Sequence, residues 1–164
     1  MKLIGLLSDT HGYIDDRIMH HLENCDEIWH AGDIGSIELL EQLENFKRIR
    51  AVYGNIDDYR IRAVLPEIQR FRCEDTGVLI KHIGGYPGRY DRSVWHEINE
   101  NPPKLFISGH SHILKVIPDK RLKLLHINPG AAGKTGLHKV RTMVRFVIDG
   151  AEIKDLEVVE LEKR

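Results

Sequence analysis

The sequence predicts an α/β fold of two packed mixed β-sheets flanked by helices, and three observations carry that reading. Short apolar runs alternate with helix-period segments through the first half. The second half is rich in strand-like segments separated by Gly, Pro and Asp. Repeatedly, an apolar run ends in Asp, His or Asn beside a small residue. With 164 residues, 41% hydrophobic and 30% charged, the chain fits one domain spanning residues 1–164. A domain of that size buries about 70% of its unfolded surface.

The elements follow in order. Residues 2–7 form an apolar run read as a buried strand. Residues 14–24 repeat Ile14, Ile18 and Leu22 at helical spacing, with Asp15 and Asp16 in the first turn. Residues 25–31 make a second strand. A helix over 36–46 has Ser36 as its N-cap and Ile37, Leu40 and Leu43 on its apolar face. Residues 49–53 make a third strand. Such β-α-β-α-β alternation implies parallel strands with right-handed crossovers, whose ligand sites lie beyond the carboxyl ends of the strands. Segments 67–73 and 77–83 read as a hairpin, followed by a Gly-rich loop at 84–88 and a helix over 92–99 stopped by Pro102-Pro103. Residues 105–108 are another buried strand. Segments 113–118, 122–127, 140–148 and 152–160 read as a strand meander.

Net charge is −1 with His neutral, so no global basic field argues for a nucleic-acid polymer. No run of about 18 apolar residues offers a membrane span. The N-terminal apolar stretch is too short for a signal peptide, and the expectation is a cytoplasmic protein. Cys25 and Cys73 match no zinc spacing and are expected as buried reduced thiols. Trp29 and Trp95 are expected in the core.

Histidine is the unusual item, with ten in the chain. His20, His21, His96 and His138 sit in polar or helical contexts. The others include Asp9-Thr10-His11 and His110-Ser111-His112, two pairs in which an extended turn would point both side chains one way. Asp33, Asn55 and His82 end further runs. Laid side by side these residues supply enough hard and borderline donors for two metal ions, the usual equipment for hydrolysing phosphate esters. The alternative makes Asp9 and Asp33 helix caps and the histidines satisfied core residues, but Ser36 is the better placed cap.

Together Asp9-x-His11, Gly32-Asp33, Gly54-Asn55-x-Asp57, His82 and Gly109-His110-x-His112 resemble, in order, the signature of the calcineurin-like metallophosphoesterases. The likeness is greatest to the small prokaryotic phosphodiesterase (YfcE-like) branch, whose Ile-Asn-Pro-Gly loop corresponds to Ile127-Asn128-Pro129-Gly130. The resemblance implies an α-β-β-α four-layer sandwich and a binuclear phosphodiesterase. Asp9, His11 and His112 would hold one metal and Asn55, His82 and His110 the other. Asp33 would bridge them, so that Asp33, Asn55 and His82 carry the catalysis. Two divalent ions are implied, with Mn²⁺ first and Zn, Fe or Ni as alternatives. Hydrolysis would proceed by in-line attack of a metal-bridging hydroxide without a covalent intermediate. The competing functions are a phosphomonoesterase and a protein-interaction scaffold of the retromer-subunit type.

Two positions depart from larger relatives. Ile56 stands where many carry a proton-donating His, and Ile83-Gly84 replaces a Gly-His after His82. Asp57 is expected to be structural. From the loop after His82, Arg89 is a candidate phosphate clamp and Tyr86 and Tyr90 are candidates for stacking on substrate. The 128–133 loop offers backbone amides to a phosphate or is a plain turn. The expected partner is a small phosphodiester substrate, with a homo-oligomer possible in principle.

Overall fold

The computed structural model describes residues 1–163. Three parallel strands open the chain: β1 (Lys2–Leu7), β2 (Glu27–His30) and β3 (Arg48–Ala51). They alternate with α1 (Asp16–Leu22) and α2 (Ile37–Phe46). Asp15 caps α1 by accepting the Ile18 amide, and Ser36 caps α2 by accepting that of Leu39. A further helix, α3 (Tyr59–Val64), follows with Asp58 as its cap. The sequence reading assigned it no element, because one exposed turn and a half has too little apolar periodicity to register.

Next come β4 (Ile68–Cys73) and β5 (Thr76–Lys81), paired as the expected hairpin. The Gly-rich loop is more ordered than expected. It contains a two-stranded ribbon of β6 (Gly85–Tyr86) and β7 (Arg89–Tyr90). After α4 (Trp95–Glu100) come β8 (Leu105–Ile107), β9 (Lys115–Asp119) and β10 (Leu124–Asn128). The chain closes with β11 (Val140–Asp149) and β12 (Glu152–Lys163).

The strands form two five-stranded mixed sheets, ordered β12-β11-β1-β2-β3 and β4-β5-β8-β10-β9. The last four strands are therefore not one meander. β9 and β10 extend the second sheet, whereas β11 crosses back to pair antiparallel with β1 in the first. Burial explains the crossing. Val144, Phe146 and Ile148 of β11 join Ile4, Leu6 and Trp29 in the core between the sheets, facing Val78, Ile80, Leu105, Ile107 and Ile127.

Helices complete the layers. On the outer face of the first sheet, Ile18 and Leu22 of α1 and Leu39, Leu40 and Leu43 of α2 pack with Leu7 and Ile28. Across the molecule Ile98 of α4 packs on Leu79, Phe106 and Leu124. Cys25 and Cys73 are buried free thiols. Trp29 is fully buried, but Trp95 is 50% exposed, so the expectation of a core role for Trp95 is corrected. Ile98, one turn on, takes the inward face of that short helix instead.

Candidate metal centre

Parallel pairing aligns the carboxyl ends of β1, β2 and β3, and of β5 and β8 in the second sheet. Just beyond those ends lie Asp9, Asp33, Asn55, His82 and His110. The backbone there is not extended, as the two-apart reading of Asp9/His11 and His110/His112 assumed. Asp9, His11, Asp33, His110 and His112 all have left-handed φ, between 46° and 69°. They are five of the eight non-glycine residues with positive φ among the described residues. Each such conformation costs on the order of 1–3 kcal/mol and persists where surrounding structure enforces it. Left-handed turns re-aim the side chains toward one point.

Two glycines make room for the convergence. A Cβ on Gly54 would stand 2.0 Å from Asp33 Oδ1, and one on Gly109 would stand 2.1 Å from Ser8 Oγ. No side chain could occupy either position without displacing a ligand loop.

Two triads result, Asp9/His11/His112 and Asp33/His82/His110, the donor atoms in each lying within 4.8 Å of one another. Asp9 Oδ1 is 3.1 Å from His112 Nε2, 3.7 Å from His11 Nε2 and 3.8 Å from His82 Nε2. Asp33 Oδ2 is 3.2 Å from His82 Nε2 and 3.5 Å from His11 Nε2, so one oxygen faces both triads. Asn55 Oδ1 adds a neutral donor, 3.1 Å from His82 Nε2 and 3.0 Å from His110 Nδ1. The structure thus gathers all seven residues.

The outward-facing atoms are tied down. Asp9 Oδ2 accepts the Ser8 hydroxyl at 2.5 Å and the His110 amide at 3.1 Å. Asp33 Oδ1 accepts the Ile56 amide at 3.1 Å. His82 Nδ1 donates to the Ala31 carbonyl at 2.8 Å, which leaves the Nε2 lone pair for the centre. His11 Nε2 is buried without a hydrogen-bond partner, a costly state that a cation would relieve. Converging carboxylate, imidazole and amide donors around that orphaned atom fit divalent metal ions.

Electrostatics point the same way. Burial opposes the charge on Asp9, but His11, His112, His82 and Ser8 outweigh it and hold the carboxyl well below the usual range. Asp33 is likewise lowered: burial opposes its charge, and His82 and the Ile56 amide overcome the opposition. Asp9 raises His11, with burial resisting. Burial also resists charge on His82, yet Asp33 and Asp9 raise it. Without ions, the imidazoles act as the counter-charge to the two carboxylates.

Supporting residues lock the loops together. Asp57 accepts the amides of Ile34, Gly35 and Gly54 at 3.2, 2.8 and 2.8 Å, joining the Asp33 loop to the Asn55 loop. That is the structural role expected of it. Two further residues, Arg62 and His30, were not singled out by sequence reasoning, and Asn128 was read only as part of its loop. Arg62 Nε donates to the Asp57 carbonyl at 2.7 Å, its Nη2 reaches the Asn55 carbonyl at 3.2 Å, and its guanidinium lies 4.6 Å from the Tyr53 ring centroid. His30 accepts the Gly32 amide at Nδ1, 3.1 Å away, and its Nε2 meets Thr10 Oγ1 at 3.0 Å. Asn128 Nδ2 donates to the Gly109 carbonyl at 3.0 Å. His30 was visible near a motif residue and Asn128 lay within a quoted motif, whereas Arg62 carried no local signal at all.

Amides of the 128–133 loop do not wait for a phosphate. Gly130, Ala132 and Gly133 donate to Asn128 Oδ1, the Ser8 carbonyl and the Asp9 carbonyl. The loop is a brace beneath the centre.

The three substrate candidates separate. Tyr86 lines a recess with His110 and Lys115, whose Nζ lies 4.2 Å from the Tyr86 ring centroid. Arg89 and Tyr90 face a different groove with Trp95 and Arg121. The Tyr90 hydroxyl donates to Asp119 at 2.7 Å, and burial together with that carboxylate raises its pKa. Tyr90 is a wall of the groove, not a free ring over the metals.

A family model for the calcineurin-like phosphoesterase superfamily domain matches residues 1–151. A probable metallophosphoesterase of Methanothermobacter thermautotrophicus is 30% identical over 165 residues, covering 96% of this chain and 91% of that protein. A probable metallophosphoesterase of Methanocaldococcus jannaschii is 31% identical over 135 residues, covering 79% and 67%. Among solved structures, Vps29 of Chaetomium thermophilum superposes with a TM-score of 0.76 at 14% identity over all of both chains. An archaeal phosphodiesterase superposes at 0.72 with 22% identity, covering 96% of this chain and 99% of its own. Both share the two-sheet fold. Among the described residues no helix is long and apolar enough to cross a membrane.

Proposed function

The chain belongs to the calcineurin-like phosphoesterase superfamily, and from that membership and the paired ligand triads we propose that it is a binuclear metal-dependent phosphodiesterase. The observation that carries the reading is the position of Asp33 Oδ2 between His11 and His82, where one oxygen serves both triads. Asp9, His11 and His112 would hold one ion, and Asn55, His82 and His110 the other. Mn²⁺ is the ion we assign first; mixed imidazole, carboxylate and amide donors suit Mn²⁺, Zn²⁺ or Fe²⁺, and no thiolate pulls strongly toward zinc. Two divalent ions so held would supply an activated water and draw charge from the phosphoryl oxygens.

The residues of this chain do the positioning. Asp33 fixes the spacing between the triads while its other oxygen is anchored to Ile56. His82, clamped through Ala31, presents a neutral Nε2 to the centre. Asn55 contributes an oxygen without adding negative charge, which keeps the site receptive to an anionic ester. Ile56, in the position of a proton-donating His, cannot protonate a leaving group, and this favours esters whose leaving groups are good.

Two open recesses that meet at Ile83, beside His82 and His110, support a diester over a monoester. One is lined by Tyr53, Arg62, Lys81 and His82, and the other by Tyr86, His110 and Lys115. A diester has two substituents to place; a monoester has one.

The test is hydrolysis of bis(4-nitrophenyl) phosphate and of 4-nitrophenyl phosphate, each with added Mn²⁺ and with EDTA. Metal-stimulated turnover favouring the diester is expected. Preference for the monoester would transfer the reading to a phosphomonoesterase. No metal-stimulated turnover on either would overturn it.

A further inference from the structure

We propose that the groove beside the β6–β7 ribbon binds a nucleotide unit of the substrate, so that the diester cleaved is a dinucleotide or short oligonucleotide. This deepens the phosphodiesterase reading and rests on it for the cleavage, though not for the binding.

The groove, about 540 Å³, lies between the ribbon, α4 and the β9–β10 turn, and holds Arg89, Trp95, Lys120 and Arg121. That volume accommodates a mononucleotide. All four side chains are exposed. Trp95 is the telling residue, because an indole left 50% exposed on a six-residue helix gains little for the fold. Arg89, Lys120 and Arg121 line the same groove. Arg121 is held by Asn99 Oδ1 at 2.9 Å, on the helix that carries Trp95. The one carboxylate in the lining, Asp119, has both oxygens engaged: Oδ2 accepts the Tyr90 hydroxyl at 2.7 Å and Oδ1 the Leu122 amide at 3.1 Å. A flat aromatic face beside three cations is a stacking platform with phosphate ligands. The near-zero net charge of the whole chain conceals this local clustering.

The exposed indole, with the ribbon that also borders the recess beside His110, selects a nucleotide over other anions. In the ribbon Tyr86 pairs with Arg89. Tyr86 lines the recess beside His110, and Arg89 lines the groove. The ribbon therefore borders both the recess beside His110 and the groove that holds Trp95. A nucleotide carries both a base for the indole and a phosphate for the cations. An acidic peptide would use the cations and ignore the indole.

The test follows the indole N–H resonances of the full-length chain in Zn²⁺, a diamagnetic ion, during titration with AMP. The sequence has two tryptophans, and buried Trp29, whose Nε1 donates to Glu27 at 2.9 Å, is the internal control. AMP is expected to shift Trp95 and leave Trp29 in place. Trp95→Leu should weaken AMP binding about tenfold. Trp95→Phe should retain most of it, and Arg121→Gln should weaken it while leaving the folded spectrum intact. In parallel, the ratio of kcat/KM for ApA to that for bis(4-nitrophenyl) phosphate should fall at least tenfold in Trp95→Leu. Equal AMP affinity in wild type and Trp95→Leu overturns the proposal, as does hexaglutamate binding the groove as tightly as AMP. If AMP binds through Trp95 but neither diester is hydrolysed, the nucleotide groove stands and the phosphodiesterase reading falls.

Discussion

The amide nitrogen of Ile56 donates to Asp33 Oδ1 at 3.1 Å, so one oxygen of that carboxylate is committed to the Asn55 loop. Only Oδ2 is left to face the two triads. An Asp33→Asn side chain would still accept the Ile56 amide through its oxygen, and its NH₂ group would then point where a lone pair is needed. Expected outcomes are one bound metal or none by elemental analysis and a loss of at least about a hundredfold in activity. Full turnover with two bound ions would refute the shared-oxygen arrangement.

Arg62 holds the Asn55 loop by its carbonyls and touches no ligand atom of the triads. Arg62→Ala should leave the fold intact but weaken metal binding by about tenfold, the usual consequence of losing a support behind a ligand. Arg62→Lys restores the charge but not the planar fork, and should recover little. Calorimetric titration with Mn²⁺ measures both; equal affinities across the series would remove Arg62 from the site.

Gly54→Ala probes the close approach directly. Its Cβ would stand 2.0 Å from Asp33 Oδ1 and 2.4 Å from the Asp33 backbone nitrogen, and a backbone atom cannot step aside cheaply. We expect destabilisation of at least about 2 kcal/mol together with loss of the second metal. Chemical denaturation and metal analysis on the same sample check it, and a stable variant with two metals would contradict it.

Metal removal should be felt in stability as well as activity. Ions that bind only the folded chain stabilise it by about 2.7 kcal/mol at a hundredfold excess over Kd. Thermal unfolding should therefore shift upward with added Mn²⁺ and back down with EDTA. In Asp33→Asn the upward shift should shrink.

What the sequence could reveal depended on periodicity and on adjacency. The buried strands β1, β2, β5 and β8 were legible because each is a short apolar run cut off by small residues. The seven clustered residues were legible because they follow those runs. Their local conformation was not: nothing in Asp9-Thr10-His11 distinguishes an extended turn from the left-handed one, which is imposed by Gly32, Asp33 and Ile34 carbonyls accepting the amides of residues 9, 11 and 12. Arg62 was invisible for the same reason, since its partners are backbone carbonyls. Assignment of β11 to the first sheet depended on pairing with β1, more than a hundred residues away, which no local pattern encodes.

Acid should weaken the fold through a histidine outside the metal centre. His126 is fully buried on β10, with Nδ1 donating to the Phe106 carbonyl at 3.1 Å and Nε2 without a partner. Burial, partly offset by that carbonyl, lowers its pKa from 6.5 to about 4. The unfolded chain thus takes up a proton near pH 6.5 that the folded chain refuses until about pH 4. Stability consequently falls as pH drops through that window, by up to about 1.4 kcal/mol per pH unit, and this contribution changes no further below it. His126→Asn keeps a donor for the Phe106 carbonyl but does not titrate. The variant should be less stable than wild type at pH 7, with the gap narrowing as pH falls from 6.5 to 4. Urea denaturation at several pH values, in EDTA so that metal release does not contribute, reads that gap; a difference constant with pH would show that His126 is protonated or solvated in the folded chain.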